Sequence, residues 1–329
     1  MEILDQNLNV QEQHHEDHEL QFHGDGAQYF GIVALNVLFT VLSLGLYYPW
    51  AKTTYRKYLW NESELNDSRF TFNGTGKEVF KGFLLVYLVV AIFYLSPFLV
   101  QMTGNFTLLP IIYGIVFLLM IAVLPLAIYG SFRYRISRTS WRGIYFDFDG
   151  NYKDFAGIFY LNAFFTIITF GIFSAWMRTR IMKYLLSHTT LGQNRLDFHG
   201  DGATLFGINL IGGILMYPTL FMYIPIWMKD RFNFTINNLT IEDQEKRRAF
   251  HSTLQSGEAW KTLMVNGLLL IVTLGLAFPW TVIRKMRMYF DNIVIPHDFD
   301  LDELSQADSS YSNATGDEIG DFLDIGIDF

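Results

Sequence analysis

The chain has 329 residues, is 51% hydrophobic and 17% aromatic, and carries 17% charged residues with a formal net charge of −8. That is too apolar for a disordered chain, and with no cysteine there is no disulfide framework, thiolate nucleophile or Cys-ligated metal centre. The charge is split: residues 1–25 hold seven acids and 298–329 hold ten, neither with a base, so the core from 26 to 297 carries all 24 bases against fifteen acids.

In chain order, residues 1–21 read as a flexible acidic tail and not as a secretory signal, because they lack an apolar core. His14, His15, Asp17 and His18 could form a metal-type cluster there, but a flexible, solvated tail is the favoured reading. Five windows free of Asp, Glu, Lys and Arg follow, at 26–51, 82–132, 155–177, 202–228 and 262–283. A membrane span needs about 20 mostly apolar residues. The second window holds 51 residues and a break near 101–105, so six apolar segments are expected. Tyr47, Tyr48, Trp50, Trp176, Tyr223, Trp227 and Trp280 stand near segment ends, where an interfacial aromatic belt belongs. Bases follow at once, among them Lys52, Arg56, Arg133, Arg135, Arg178, Arg180 and Arg284.

Residues 22–82 match 148–208 at a shift of 126 without a gap. Asn36 aligns with Asn162, Gly45 with Gly171, Trp50 with Trp176, and Lys57-Tyr58 with Lys183-Tyr184. Phe72-x-Gly74-x-Gly76 aligns with Phe198-x-Gly200-x-Gly202. A partial third copy, 104 residues further on, carries Asn266, Gly275, Trp280 and Arg287. Short alternating runs such as 69–72 end on the glycines and read as a strand and tight turn. The expected fold is a polytopic α-helical membrane protein of duplicated strand–turn–helix modules with small surface β-elements. Its parts are a first repeat at 22–147, a second at 148–250, a partial third at 251–297 and an acidic tail at 298–329.

Thr40-x4-Gly45-x3-Pro49-Trp50-Ala51, its copies, the Phe-x-Gly-x-Gly turns and the acidic run 316–328 together resemble the YjgN-type family of bacterial inner-membrane proteins of unknown function. The resemblance extends from Phe22 to the C-terminus. Ala175 departs from it, standing where Pro49 and Pro279 precede Trp in the other copies. It implies a multi-pass inner-membrane location and a fold, and no reaction, cofactor or catalytic residue.

Six crossings would place the bases at 178–183 and 284–287 opposite those at 133–142, against the positive-inside rule. Gly45, Gly171 and Gly275, with Pro49 and Pro279, weaken one end of their segments. Such a segment can dip into the membrane and return if protein or a wet cavity covers its bent backbone. Segment 204–228 still reads as one crossing.

Asn36, Asn162 and Asn266 are the candidate intramembrane polar groups, lining a polar path or fixing helix packing by hydrogen bonds. His23 and Asp25, repeated as His199 and Asp201, make a metal set if the two turns meet, and otherwise a glycine-rich turn in which Asp bonds its own backbone. Lys57, Lys183 and Arg287 follow each Trp by seven residues and suit anionic lipid headgroups. Gly45, Pro49, Trp50, Gly171, Trp176, Gly275, Pro279 and Trp280 mark helix breaks and the interface. No catalytic constellation, phosphate loop or nucleic-acid signature stands out, so no enzyme and no cofactor are expected. The expected partners are the bilayer, its anionic headgroups, unidentified proteins and a second copy of the chain. Two functions remain: a transporter- or channel-like protein for a small solute, and a non-transporting scaffold or envelope-assembly factor.

Overall fold

A computed structural model of the chain describes residues 18–105, 107–242, 246–295 and 304. His14, His15 and Asp17 lie outside the described residues. The chain opens with β1 (Leu20–Phe22), α1 (Gly26–Leu42), α2 (Tyr48–Asn61), β2 (Ser63–Leu65) and β3 (Ser68–Phe72). Next come α3 (Gly76–Thr103), α4 (Leu108–Ser137), β4 (Thr139–Trp141) and β5 (Ile144–Phe148). They are followed by α5 (Tyr152–Ile168), α6 (Ser174–Ser187), β6 (Thr189–Leu191) and β7 (Asn194–Phe198). The last stretch is α7 (Gly202–Met216), α8 (Ile224–Asn237), β8 (Leu239–Glu242), β9 (Arg247–Ala249), β10 (His251–Ser252), α9 (Ser256–Val272), α10 (Phe278–Phe290) and β11 (Ile293–Val294). The bounds of α1, α2, β2 and β3 recur 126 residues later in α5, α6, β6 and β7, and α9 begins 104 residues after α5.

Among the described residues the helices form five hairpins, and two helices, α3 and α4, are long and apolar enough to cross a membrane. Their 28 and 30 residues correspond to roughly 42–45 Å at about 1.5 Å per residue. The other four hairpins are short: α1, α5 and α9 have 17 residues each and α7 has 15. They reverse inside the charge-free windows, three of which were expected either to cross or to dip and return. In three of them the tip passes through the left-handed region at Leu44-Gly45, Phe170-Gly171 and Leu274-Gly275, where glycine costs nothing and other residues are strained. The segment expected to cross once from 204 to 228 reverses as well, at Leu220-Phe221. Ser43, Thr169, Thr219 and Thr273 satisfy these turns. Each hydroxyl accepts a hydrogen bond from the amide four residues later, at 2.8–3.2 Å, so a backbone donor in the turn keeps a partner. Pro49, Pro225 and Pro279 do not break a helix. They occupy the first turn of α2, α8 and α10, where a missing N–H is harmless.

All five helical hairpins point their tips away from the strands. Strands β1 to β9 form one antiparallel sheet in sequence order, and β10 pairs with β11. This replaces the separate small sheets expected from the sequence. Two-residue turns at Asn66-Asp67 and Arg142-Gly143, all four residues at positive φ, match the right-handed twist of tight hairpins. A bridge between His18 and Ile295 joins the two ends of the strand circuit, and α10 packs against α1. The molecule is therefore a ring of helical hairpins under a ring of strands. The strand ring is filled by Leu65, Trp141, Leu191, Ile241 and Ile295, one from each successive turn of the circuit, and by Leu304 from the acidic C-terminal tail. Trp141 is fully buried, and its indole donates to the Ser68 carbonyl at 3.1 Å.

Candidate functional site

Each Phe-x-Gly-x-Gly turn is a joint between neighbouring hairpins. At the first glycine the preceding Phe folds back over the main chain, so that a Cβ on Gly24 or Gly150 would meet the ring of Phe22 or Phe148 at 2.5 Å. At the second glycine an indole from the adjacent hairpin takes the same space. A Cβ on Gly76, Gly202 or Gly26 would lie within 2.6 Å of the indole of Trp50, Trp176 or Trp280 respectively. The recurring tryptophans thus wedge one hairpin against the next, and Trp280 closes the ring onto the first helix. Sequence reasoning placed these indoles in an aromatic belt and missed their glycine partners, although the motif's second glycine was the available signal.

The tyrosines next to Lys57 and Lys183 act at the same joints. Tyr58 OH accepts from the Asp25 amide at 2.8 Å and donates to its carbonyl at 3.0 Å. Tyr184 does the same for Asn151, at 2.8 and 2.7 Å. Burial pushes the Tyr184 hydroxyl pKa above its ordinary value, which keeps it a donor. Tyr134 serves Thr75, the cap of α3, at 3.1 Å, and Arg138 ties the last turn of α4 to Glu78 at 3.0 Å.

The expected site residues are not gathered into one place. Asn36 and Asn162 are buried and donate to the carbonyls four residues back, Ile32 and Ile158. Asn162 also accepts from Arg180 at 2.9 Å. Asn266 donates to Thr281 of α10 at 3.2 Å, while its buried Oδ1 has no partner. Asp25 and Asp201 cap α1 and α7 by accepting backbone amides. His23 faces Glu64 at 3.4 Å. His199 lies near Asp197 and Glu242, three groups close enough for one ion, but it bonds Thr240 at 3.1 Å and Glu242 is held by Arg247 at 2.6 Å. Lys57, Lys183 and Arg287 are exposed, and Arg287 also donates to the Gly24 carbonyl at 3.1 Å.

A family described as bacterial protein of unknown function (DUF898) matches residues 17–161, 145–213 and 205–322. The chain belongs to the DUF898 family. Its relatives include proteins named inner membrane protein YjgN. The one from Escherichia coli K12 is 24% identical over 237 residues, covering 62% of this chain and 58% of the relative. The one from Salmonella typhimurium LT2 is 28% identical over 201 residues, covering 60% and 47%. The match therefore spans less than three fifths of each relative's own length. No solved structure matches.

Among the described residues of this DUF898 protein, two of the cavities bear on these groups. One of about 820 Å³ lies along the seam that closes the strand ring, between His18, Gln21 and His23 on one side and Arg287, Asp291 and Ile293 on the other. Burial raises the Asp291 carboxyl above its usual range, with Glu258 adding to the shift and Arg287 and His23 opposing it. The other, about 670 Å³, is an apolar groove between the fourth and fifth helical hairpins, with Asn266 and Lys285 among its lining residues.

Proposed function

We propose that the protein is a multi-pass, non-transporting scaffold of the bacterial inner membrane, built from duplicated modules. It crosses with α3 and α4 alone and sinks its four short hairpins into the leaflet beneath the strand ring. The naming of its relatives supports the location. The tips support the immersion: Leu44, Phe170, Leu220 and Leu274 are each at least four-fifths exposed, a cost that lipid removes and water does not. A 17-residue helix reaches roughly 25 Å, short of a hydrocarbon core of about 30 Å. No Lys or Arg then lies on the far side of the membrane, because 82–132 has none. The positive-inside conflict of six crossings disappears, with the strand ring facing the cytoplasm.

The filled strand ring carries the choice against transport. Its interior is six apolar side chains, and a path for a polar solute needs polar lining. Of the three asparagines that would mark such a path, Asn36 and Asn162 donate to the backbone of their own helices, and Asn266 lines a groove between the fourth and fifth hairpins and is not in the strand ring. A channel-like role would require Leu304 to leave the ring, and solute flux into proteoliposomes that rises with Leu304→Ala would favour it.

The cysteine-free chain offers a direct test. Single cysteines at Thr54, Ser187 and Asn292 should all resist an impermeant thiol reagent in intact cells, while one at Asn105 should react. External labelling of residue 187 or 292 overturns the arrangement.

A further inference from the structure

The joints between hairpins are not all alike. Trp50, Trp176 and Trp280 each seat on the first-turn glycine of the adjoining hairpin, and Tyr129 fills the joint after α4 by donating to the Gly150 carbonyl. Trp227 breaks the pattern. It turns back into its own hairpin, donating to Asn209 at 3.2 Å and packing on Gly212 of α7. Nothing lies within 4 Å of a Cβ built on Gly257 or Gly267 of α9. The apolar groove of about 670 Å³ opens at this joint.

Its orientation is informative. Leu220, Phe221, Ile271 and Phe278 stand at the tip end, and Lys285 stands about 10 Å closer to the strands at 1.5 Å per residue. One helical turn below Lys285, Asn266 lines the groove with a buried Oδ1 that has no hydrogen-bond partner among the described residues. In the third hairpin the corresponding oxygen takes a bond from Arg180. A buried acceptor without a donor is costly. The groove thus offers a cation at the headgroup end, an acceptor one turn deeper and an apolar channel running toward the tip. Its volume falls within the range of about 300–1,000 Å³ usual for small-molecule sites.

We propose that this groove binds a single-chain anionic phospholipid of the lysophospholipid class. The phosphate sits at Lys285, the free glycerol hydroxyl donates to Asn266 Oδ1, and the acyl chain lies along Gly267, Leu270 and Ile271 toward the tip. The assignment rests on the membrane-immersed arrangement above. A diacyl phospholipid has no free hydroxyl at that depth and a fatty acid has none at all.

The full chain in detergent is mixed with lysophosphatidylglycerol, diacyl phosphatidylglycerol, lysophosphatidylcholine or palmitate, and retained lipid is read by native mass spectrometry. The expected result is one lysophosphatidylglycerol per chain, held at least tenfold more tightly than the other three. Gly267→Phe should abolish retention. Lys285→Gln should remove the preference over lysophosphatidylcholine, and Asn266→Leu the preference over palmitate. Lys285→Gln and Asn266→Leu keep the packing, so they carry the test if Gly267→Phe fails to fold. Equal retention of diacyl phosphatidylglycerol, or retention unchanged in the three variants, overturns the assignment. Release of the protein from membranes by carbonate would instead overturn the immersed arrangement.

Discussion

Replacing Gly202 by alanine tests the wedge between hairpins. The new Cβ would stand 2.6 Å from the Trp176 indole and 2.9 Å from its Cα, and the second of these is main chain that cannot swing away. Overpacking a tight contact costs about 1–3 kcal/mol. Alanine gains at most about 1 kcal/mol over glycine in a helix, and less in its first turn. The net expectation is a loss of about 1–2 kcal/mol, read as a fall of several degrees in the detergent unfolding midpoint. Gly207, five residues along the same helix, has nothing within 4 Å of the same added atom, so Gly207→Ala should be neutral or stabilise by about 0.5–1 kcal/mol. Trimming the indole in a Gly202→Ala, Trp176→Leu double variant should recover part of the loss beyond additivity. If Gly202→Ala is as stable as Gly207→Ala, the indole is not a wedge and the joint has been misread.

Leu304→Ala should cost about 2 kcal/mol, since the side chain is buried among five others inside the strand ring, and loss of the whole 298–329 tail should cost no less; thermal unfolding of both checks this. Tyr184→Phe strips both hydrogen bonds from Asn151 and should cost about 1–2 kcal/mol, whereas Tyr160→Phe removes one exposed bond to Ala122 and should cost less. The raised Asp291 pKa means that ionisation is disfavoured in the folded protein. Its stabilising contribution is present below the unfolded carboxylate pKa of about 3.9 and is lost as pH rises through the folded value. Asp291→Asn should therefore raise the midpoint at pH 7 and leave it near wild type at pH 3.5; a lower midpoint at pH 7 contradicts the assigned burial effect.

Much of the strand layer was legible because its signals are local. Alternation before Phe-x-Gly marked β3, β5 and β7, and the 126-residue shift matched element bounds to the residue. Three of the helical reversals were legible as weak points at Gly45, Gly171 and Gly275, where a segment was expected to dip and return; the fourth, at Leu220-Phe221, was not, because hydropathy marks a turn by its polarity and these tips have little. Leu44, Phe170 and Leu274 are as apolar as the helices they end, and the fourth tip has Phe221 where the others have glycine. The usable signal was smaller: a Ser or Thr five residues ahead of each second helix, at 43, 169, 219 and 273, whose hydroxyl replaces the water a soluble turn would use.

Ring closure lay further from reach because its contacts join opposite ends of the sequence. The bridge from His18 to Ile295 and the fit of Trp280 over Gly26 span more than 250 residues, and neither partner is distinctive alone. The same distance explains the divided charge. Leu304 of the acidic C-terminal tail lies, among the described residues, in the interior of a strand ring that sits within the base-rich part of the chain. A leucine between acids looks like composition until the ring shows five apolar side chains around it. The tail is thereby tied to the core at a packing contact, so salt that screens the charge segregation should weaken the attachment less than Leu304→Ala does.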